Sequence, residues 1–377
     1  MIPALQSSSG GDVTLPVAAT RLTGARTIRT LAELDELEAT WCVAAAAFDS
    51  PMEQYDWTRI SAEIFNLPDV LEIVAAGSPS SLAVAPLFRT NGIAQRLELI
   101  GADSLAEPTD FVYSSPAACE ALANAVAKLR LPLRLPRVPA HSLVVAALET
   151  ALRGRGLVIC RATIGTPWIS LDKSWETPQQ HLNTGRRSDL RRAQRIAERL
   201  GGAHCEVISP TPAELAPILD EAFRVEAAGW KGRTGTALAL DAERGEFYRR
   251  YAHVAAGKGT LRLCFLRIGG RPAAMQFAVE IGGRFWLLKI GYADEFARCS
   301  PGNLLVMETI QYAARAGLKS YEFLGTAEQW IGMWTSQVRP CISVRAYPFN
   351  GRGAIALAAD AAQKLRKYGR SVRWSRV

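Results

Sequence analysis

Hydrophobic and polar positions change period several times along this chain, and the densest set of changes lies between Leu261 and Pro348. Leu261 to Ile268 is a mostly apolar run closed by Gly269-Gly270, and a second apolar run from Pro272 to Ile281 follows. Gly-Gly between two such runs predicts a β-hairpin. A second pair, Gly282-Gly283, leads into Arg284-Phe285-Trp286-Leu287-Leu288-Lys289-Ile290-Gly291-Tyr292, rich in the branched and aromatic residues that favour strands. Three antiparallel strands are therefore predicted. The period then lengthens: Leu304, Leu305, Ile310, Tyr312 and Ala313 share one broad face of a helix that follows Ser300-Pro301-Gly302-Asn303 and ends at Ala316-Gly317. Ser320-Tyr321-Glu322-Phe323-Leu324-Gly325 reads as a short buried strand closed by glycine.

The first half of the chain repeats this order. Val70–Gly77, Ser81–Arg89 and Arg96–Gly101 read as three strands with short turns, and after Ala106-Glu107-Pro108-Thr109-Asp110-Phe111 comes a helix over Ala117–Val126. The expected fold class is α/β, with two tandem units, each a mixed and mostly antiparallel sheet flanked by helices. Expected boundaries are a flexible leader over 1–20, a first unit over 21–172, a second over 173–350 and a basic tail over 351–377. Two unrelated α/β domains would give a similar pattern. In the first unit the turn before the helix is Ser114-Ser115-Pro116, with no glycine and no basic residue nearby, so that unit is read as a degenerate copy shaping an acceptor groove. Thr211-Pro212-Ala213-Glu214 has capping-box spacing and predicts a helix start.

Charge adds a direction to this plan. The net charge of +8 draws anionic partners, and it is concentrated. Arg186, Arg187, Arg191, Arg192, Arg195 and Arg199 crowd one predicted helix, while Lys364, Arg366, Lys367, Arg370, Arg373 and Arg376 load the carboxyl end around Tyr368 and Trp374. Each cluster is either a solvated basic face or a contact with phosphates, anionic lipid or, for the first, RNA. No apolar run reaches the ~20 residues of a spanning helix. The amino terminus lacks the pattern of a secretory signal, so a cytoplasmic protein, peripheral at the inner membrane, is expected. Seven scattered cysteines with no CxxC pair argue against a disulfide framework or a zinc site, and no metal is expected.

A helix start preceded by Ser300, Pro301 and Gly302 offers backbone N–H groups and the positive end of the macrodipole to a pyrophosphate, or is an ordinary capped helix. Together with Glu226-Ala227-Ala228-Gly229-Trp230-Lys231-Gly232, and with Tyr321–Gly325 followed by Trp330 and Trp334, this turn resembles the GNAT acetyltransferase superfamily. Within it the chain is most similar to the large two-domain bacterial acyltransferases described as CelD-like cellulose-biosynthesis proteins. The resemblance covers residues 160–348, and the part before them more loosely. It implies two tandem GNAT-like domains and an acyl-CoA donor whose pantetheine lies in a V-shaped opening between two parallel strands. Ile290, Gly291 and Tyr292 would edge that opening, and Arg298, Ser300, Gly302 and Asn303 would hold the pyrophosphate. The superfamily's phosphate loop reads Gln or Arg, two variable residues, Gly, one variable residue, then Gly or Ala. Here Arg298 lies four residues before Gly302, with Pro301 between.

The implied reaction moves an acyl group from a thioester to an amine, which needs a proton acceptor and support for the tetrahedral oxyanion. Glu226 is the first candidate base, because the resemblance sets its block over the cleft; pairing with Arg224 or Lys231 is the alternative. Glu322, beside Tyr321 and Phe323, is the second, or else ties down a loop. Tyr292 is a third candidate, as donor to the leaving thiolate. Lys231 and Lys289 would bind phosphate or an acceptor, and Trp230 would line the acceptor or anchor a core. Cys299 has no histidine close in sequence to serve as its base. Families similar to this chain are linked to envelope polysaccharide synthesis and to N-acylation of sphingoid bases, as in bacterial ceramide synthases. A lipid amine is the leading acceptor. A sugar acceptor, a Fem-like ligase fed by aminoacyl-tRNA and a non-catalytic scaffold are the alternatives.

Overall fold

The computed structural model describes residues 24–65, 70–78 and 81–374, with side chains through residue 366; the leader expected over 1–20 lies outside them. Strand β1 (Gly24–Ile28) is followed by helices α1 (Leu31–Asp35), α2 (Glu38–Ala45) and α3 (Tyr55–Phe65), then by β2 (Ile73–Ser78), β3 (Ser81–Ala85), β4 (Leu87–Arg89) and β5 (Leu97–Leu99). The first half closes with α4 (Ala102–Leu105), β6 (Val112–Tyr113), α5 (Pro116–Lys128), β7 (Leu133–Pro139), α6 (Leu143–Ala151) and β8 (Gly156–Ser170). The second half runs α7 (Thr184–Arg199), β9 (Ala203–Ile208), α8 (Leu215–Ala227), α9 (Trp230–Arg233), α10 (Ala242–Gly257), β10 (Leu261–Ile268), β11 (Arg271–Ile281) and β12 (Arg284–Tyr292). It ends with α11 (Pro301–Arg315), β13 (Ser320–Glu322), β14 (Val338–Pro348) and α12 (Gly351–Trp374).

The expected mixed, mostly antiparallel α/β architecture is the one observed, with two local differences. The run from Ser81 to Arg89 is two strands: Pro86 has no N–H for a ladder, and there the chain leaves a four-stranded sheet (β1-β2-β3-β6) to enter a ten-stranded one as β4. At Thr211 the helix starts later than its capping-box spacing suggests. The Glu214 carboxylate takes both the Thr211 N–H and the Thr211 hydroxyl, so that hydroxyl donates instead of capping, and α8 begins at Leu215.

The ten-stranded sheet has the order β4-β5-β7-β14-β8-β13-β12-β11-β10-β9. Only two neighbouring pairs in it are parallel, β5 with β7 and β12 with β13. About the β14/β8 pair, β7, β5 and β4 on one side match β13, β12 and β11 on the other, where β10 and β9 extend the sheet further; β14, the last strand of the second half, lies against β7 of the first, while β8 lies against β13 of the second. Neither half therefore completes its sheet alone.

Alternation along β12 and β13 sends Phe285, Leu287 and Tyr321 to one face, against α7 and α11, and Trp286 and Leu288 to the other, against α3, α8 and α10. On that second face Trp57 of the first half meets Phe247 and Tyr251 of α10 edge to face, at centroid distances of 4.9 and 5.0 Å. Such aromatic pairs contribute about 0.5–1.5 kcal/mol each beyond the area they bury. The halves are thus joined by a shared sheet and by a shared core.

Candidate active site

β12 and β13 run side by side for three residue pairs, ending at Trp286 opposite Glu322. Beyond that point β13 stops, because the chain turns through Leu324 (φ +56°) and Gly325 (φ +54°), whereas β12 continues to Tyr292. The two strands therefore part. At the same level Phe277 faces Lys289 and the next residue, Ala278, faces Leu287, so Leu288 is the extra residue of a bulge. A bulge re-aims the side chains around it: Leu288 enters the core beside α10, and the Lys289 ammonium lies 4.9 Å from the centre of the Tyr248 ring.

The far end of β12 leads to the amino end of α11. Ser300 at its N-cap is left-handed (φ 44°, ψ 51°) and makes no capping bond with its side chain, and Pro301 supplies no N–H. The matching helix of the first half is closed, since Ser115 Oγ accepts from Ala118 N–H at 3.2 Å and caps α5 itself. Around the uncapped end, Arg298, Ser300 and Asn303 meet Arg186, Asp189 and Arg192 of α7 across a hollow of about 210 Å³. Three guanidinium groups and a helix amino end make this hollow anion-seeking. Gly302 sits against the ring of Tyr292, and both are half-buried. The expected pyrophosphate residues are thus brought together, along with two arginines of the basic helix.

Glu226 is 2% exposed, and both its oxygens are engaged. Oε1 accepts from Lys231 Nζ at 2.9 Å and Oε2 from Leu238 N–H at 2.9 Å, while Lys231 also donates to the Ile290 carbonyl at 2.7 Å. This bridge ties α8 to β12 where Gly291 permits it: a Cβ on Gly291 would stand 2.7 Å from Glu226 Cα. Glu322 is fully buried and accepts from Ser320 Oγ, Arg284 Nη1 and Arg339 Nε and Nη2, which leaves its carboxylate no free face. Trp230 is 47% exposed on α9. Burial pushes the Cys299 thiol up, against a thiolate there.

Two residues of this region carried no sequence signal of their own. Glu107, in the loop after α4, is 5% exposed; its Oε2 has no hydrogen-bond partner in the protein, and the carboxyl receives the Gly325 N–H. Burial holds its pKa above the usual carboxylate value, against the opposing pull of Lys289 and Arg137. The Tyr248 hydroxyl is likewise buried and unpartnered, and burial, with Glu107 and Glu226 nearby, keeps it a phenol. Arg137 of β7 fixes the loop in place, donating to the carbonyls of Ala106, Ile164, Gly165 and Gly325. Among the described residues, four other than glycine have positive φ, and three of them, Ala106, Ser300 and Leu324, border this site. Backbone held in such regions costs on the order of 1–3 kcal/mol each and clusters at functional sites.

Beside Glu107 the loop continues into the wall of a chamber of about 450 Å³ at the junction of the halves, lined by Met52, Pro108, Tyr113, Trp286 and the buried carboxyls of Glu53 and Asp110. Burial raises both of these carboxyls to about 7.

Residues 184–330 match the family described as Acetyltransferase (GNAT) domain. No curated protein matches the chain in sequence. Among solved structures, the chain is similar to the DUF2156 C-terminal domain assigned to a lysylphosphatidylglycerol synthetase of Agrobacterium fabrum, at 14% identity and a TM-score of 0.53, over 88% of this chain and 97% of that one. It is similar to FemX at 12% identity and a TM-score of 0.53, over 87% of this chain and 98% of that one. These likenesses extend across both halves and show a shared fold, while the match to the GNAT domain lies in the second half.

Proposed function

We propose that the protein is an N-acyltransferase of the GNAT type, transferring an acyl group from acyl-CoA directly to an amine. The observation that carries this reading is the uncapped amino end of α11, faced by Arg186, Arg192 and Arg298, at the end of the strand that parts from β13. In this reading the pyrophosphate rests on that helix end near Ser300, Gly302 and Asn303, and the pantetheine follows Ile290 and Gly291 into the opening. The thioester then lies at the bulge, where the backbone of Leu288 has no partner in the β11 register and is available to the oxyanion. Glu226 and Lys231 shape the opening from beneath, with Tyr292 and Trp230 at its rim.

The acceptor proposed first is a lipid amine such as a sphingoid base, as in the ceramide synthase-like members of the CelD-like branch. Helix α12 supports it, with Ile355, Leu357 and Leu365 exposed on an element that also carries Arg352, Lys364 and Arg366, a composition suited to an anionic membrane surface. No helix among the described residues is long and apolar enough to cross a membrane. A second reading, a Fem-like ligase, draws on the exposed arginines of α7, which would equally meet an aminoacyl-tRNA.

Calorimetric titration with acetyl-CoA, palmitoyl-CoA and a charged tRNA, side by side, tests the proposal. Binding of palmitoyl-CoA above acetyl-CoA supports a lipid acyltransferase, and binding of tRNA alone supports the ligase. Failure of all three turns the reading towards a scaffold.

A further inference from the structure

We propose that Glu107, carried by the half that lacks an open helix end, is the group that takes the proton from the attacking amine in the site of the other half. This rests on the acyltransferase reading above and extends it to the chemistry of the step.

The geometry points to Glu107 on four counts. Its Oε2 is buried and unpartnered, an arrangement that costs free energy unless a ligand supplies the missing contact. Its other contact is the N–H of Gly325, the residue at which the chain departs from β12 after β13, so the carboxyl stands at the parting of the strands. The neighbouring Tyr248 hydroxyl is a second buried polar group without a partner. Finally, the two strained positions Ala106 and Leu324 flank it, and one side chain, Arg137, bonds the carbonyls of Ala106 and Gly325 and so fixes both turns. The carboxylates that adjoin the opening on the second half's own elements are occupied, Glu226 by Lys231 and Leu238, and Glu322 by two arginines and a serine.

The charged and titratable groups facing Glu107 are Lys289 on β12, Arg137 on β7 and Tyr248 on α10, with Glu226 of α8 acting on Tyr248 from behind. A raised carboxyl pKa in this setting makes Glu107 a stronger base than a solvated glutamate, which suits proton transfer. The neutral amine's lone pair attacks the thioester carbonyl carbon and a nitrogen proton passes to Glu107 Oε2. The tetrahedral oxyanion collapses, the C–S bond breaks with its electron pair on sulfur, and the proton moves from the carboxyl to that sulfur. Amide and thiol leave, and the carboxylate is restored.

The test compares wild type, Glu107→Gln and Glu107→Asp for CoA thiol release from acetyl-CoA and palmitoyl-CoA, with hydroxylamine and sphinganine as acceptors, alongside calorimetric binding of each donor. Expected for Glu107→Gln is a loss of about 10²–10⁴-fold in kcat, disappearance of the acidic limb of the pH profile, where the rate rises as the carboxyl ionises, donor affinity within about twofold, and a melting temperature that does not fall. Glu107→Asp should retain part of the rate. Turnover by Glu107→Gln within threefold of wild type overturns the proposal, as does a rate loss matched by loss of folding in both variants. If donors bind and no acceptor reacts, the Glu107 carboxyl is read by ¹³C NMR, assigned by difference from Glu107→Gln. A titration above the ordinary range that moves on adding CoA supports the role, and an ordinary titration unmoved by CoA refutes it. Absence of donor binding in wild type defeats the acyl-CoA reading itself, an outcome distinct from a failed Glu107.

Discussion

Replacing Glu322 with glutamine should unfold the protein earlier without touching the chemistry. The carboxylate is fully buried on β13, with Ser320 Oγ at 2.7 Å, Arg339 at 2.7 and 2.9 Å and Arg284 at 3.2 Å. Arg284 keeps a second partner in Asp49 at 3.0 Å, and Arg339 lies 3.7 Å from the ring centre of Trp168 on β8. Glutamine retains one acceptor oxygen, turns an NH₂ towards donors, and leaves two guanidinium charges to a single exposed aspartate. Breaking a buried ion pair from one side costs about 3–5 kcal/mol. The arginines are 24% and 30% exposed and can recover some hydration, so the lower end, about 3 kcal/mol, applies. At about 2–4 °C per kcal/mol for a domain of 150–250 residues, that is a fall of about 6–12 °C, and nearer the lower figure for this longer chain. Urea unfolding followed by circular dichroism, with acyl transfer assayed on the still-folded protein, decides the matter. A Glu322→Gln protein with an unchanged midpoint and lost turnover would show that the carboxylate belongs to the reaction and that the ion-pair argument is mistaken.

Five further outcomes are expected. Arg298→Ala with Arg186→Ala should weaken CoA binding about fivefold per residue, the ~1 kcal/mol of a solvent-accessible charge contact, and flatten its salt dependence; Ser115→Ala, at the self-capped α5, should lower stability by about 1 kcal/mol and leave CoA affinity unchanged. Gly291→Ala should cost about 1–3 kcal/mol and reduce transfer by lifting α8 from β12, and a silent substitution would contradict the close approach of Glu226. Glu53 and Asp110 hold protons up to about pH 7 when folded, whereas the unfolded chain releases them near 4.5 and 3.8. Stability from this source is therefore complete below about pH 4 and declines towards pH 7 by about 1.4 kcal/mol per unit and group. The double variant Glu53→Gln, Asp110→Asn should flatten that decline, and parallel curves for variant and wild type would refute it. Truncation after Tyr368 should lower sedimentation with anionic vesicles, and equal binding would remove the segment after Tyr368 from any membrane role.

How far the sequence could be read follows from how local each cause is. The Gly-Gly turns at 269–270 and 282–283 have positive φ at all four glycines, a demand that glycine announces by itself, so β10, β11 and β12 were legible. The helix after Ser300 and the basic helix α7 were equally so, being carried by composition within a dozen residues. The division of Ser81–Arg89 at Pro86 was signalled by the proline and hidden by the continuous apolar run around it. Glu107 was a lone acid in a loop, and what distinguishes it, burial against Gly325 and Lys289, arises from elements more than 180 positions away. Glu322 is engaged by Arg339 across an irregular connection that no periodicity describes. Nor did any pattern tell which strand of one half would lie against which strand of the other, because β7, β8, β13 and β14 all offer compatible alternation.

That shared arrangement has a consequence for how the chain is made. When a ribosome has finished β8 at Ser170, that strand has neither of its neighbours, and β13 begins only at Ser320, 150 positions later. At about 5–20 residues per second, fifteen residues of strand wait with both edges open for about 8–30 s, and β7 waits longer still for its partner at Val338. Open edges of this kind are where nascent chains pair wrongly. The protein should depend on a trigger-factor-type chaperone during synthesis far more than its finished stability would suggest, and codons that slow translation between 171 and 319 should lower its yield.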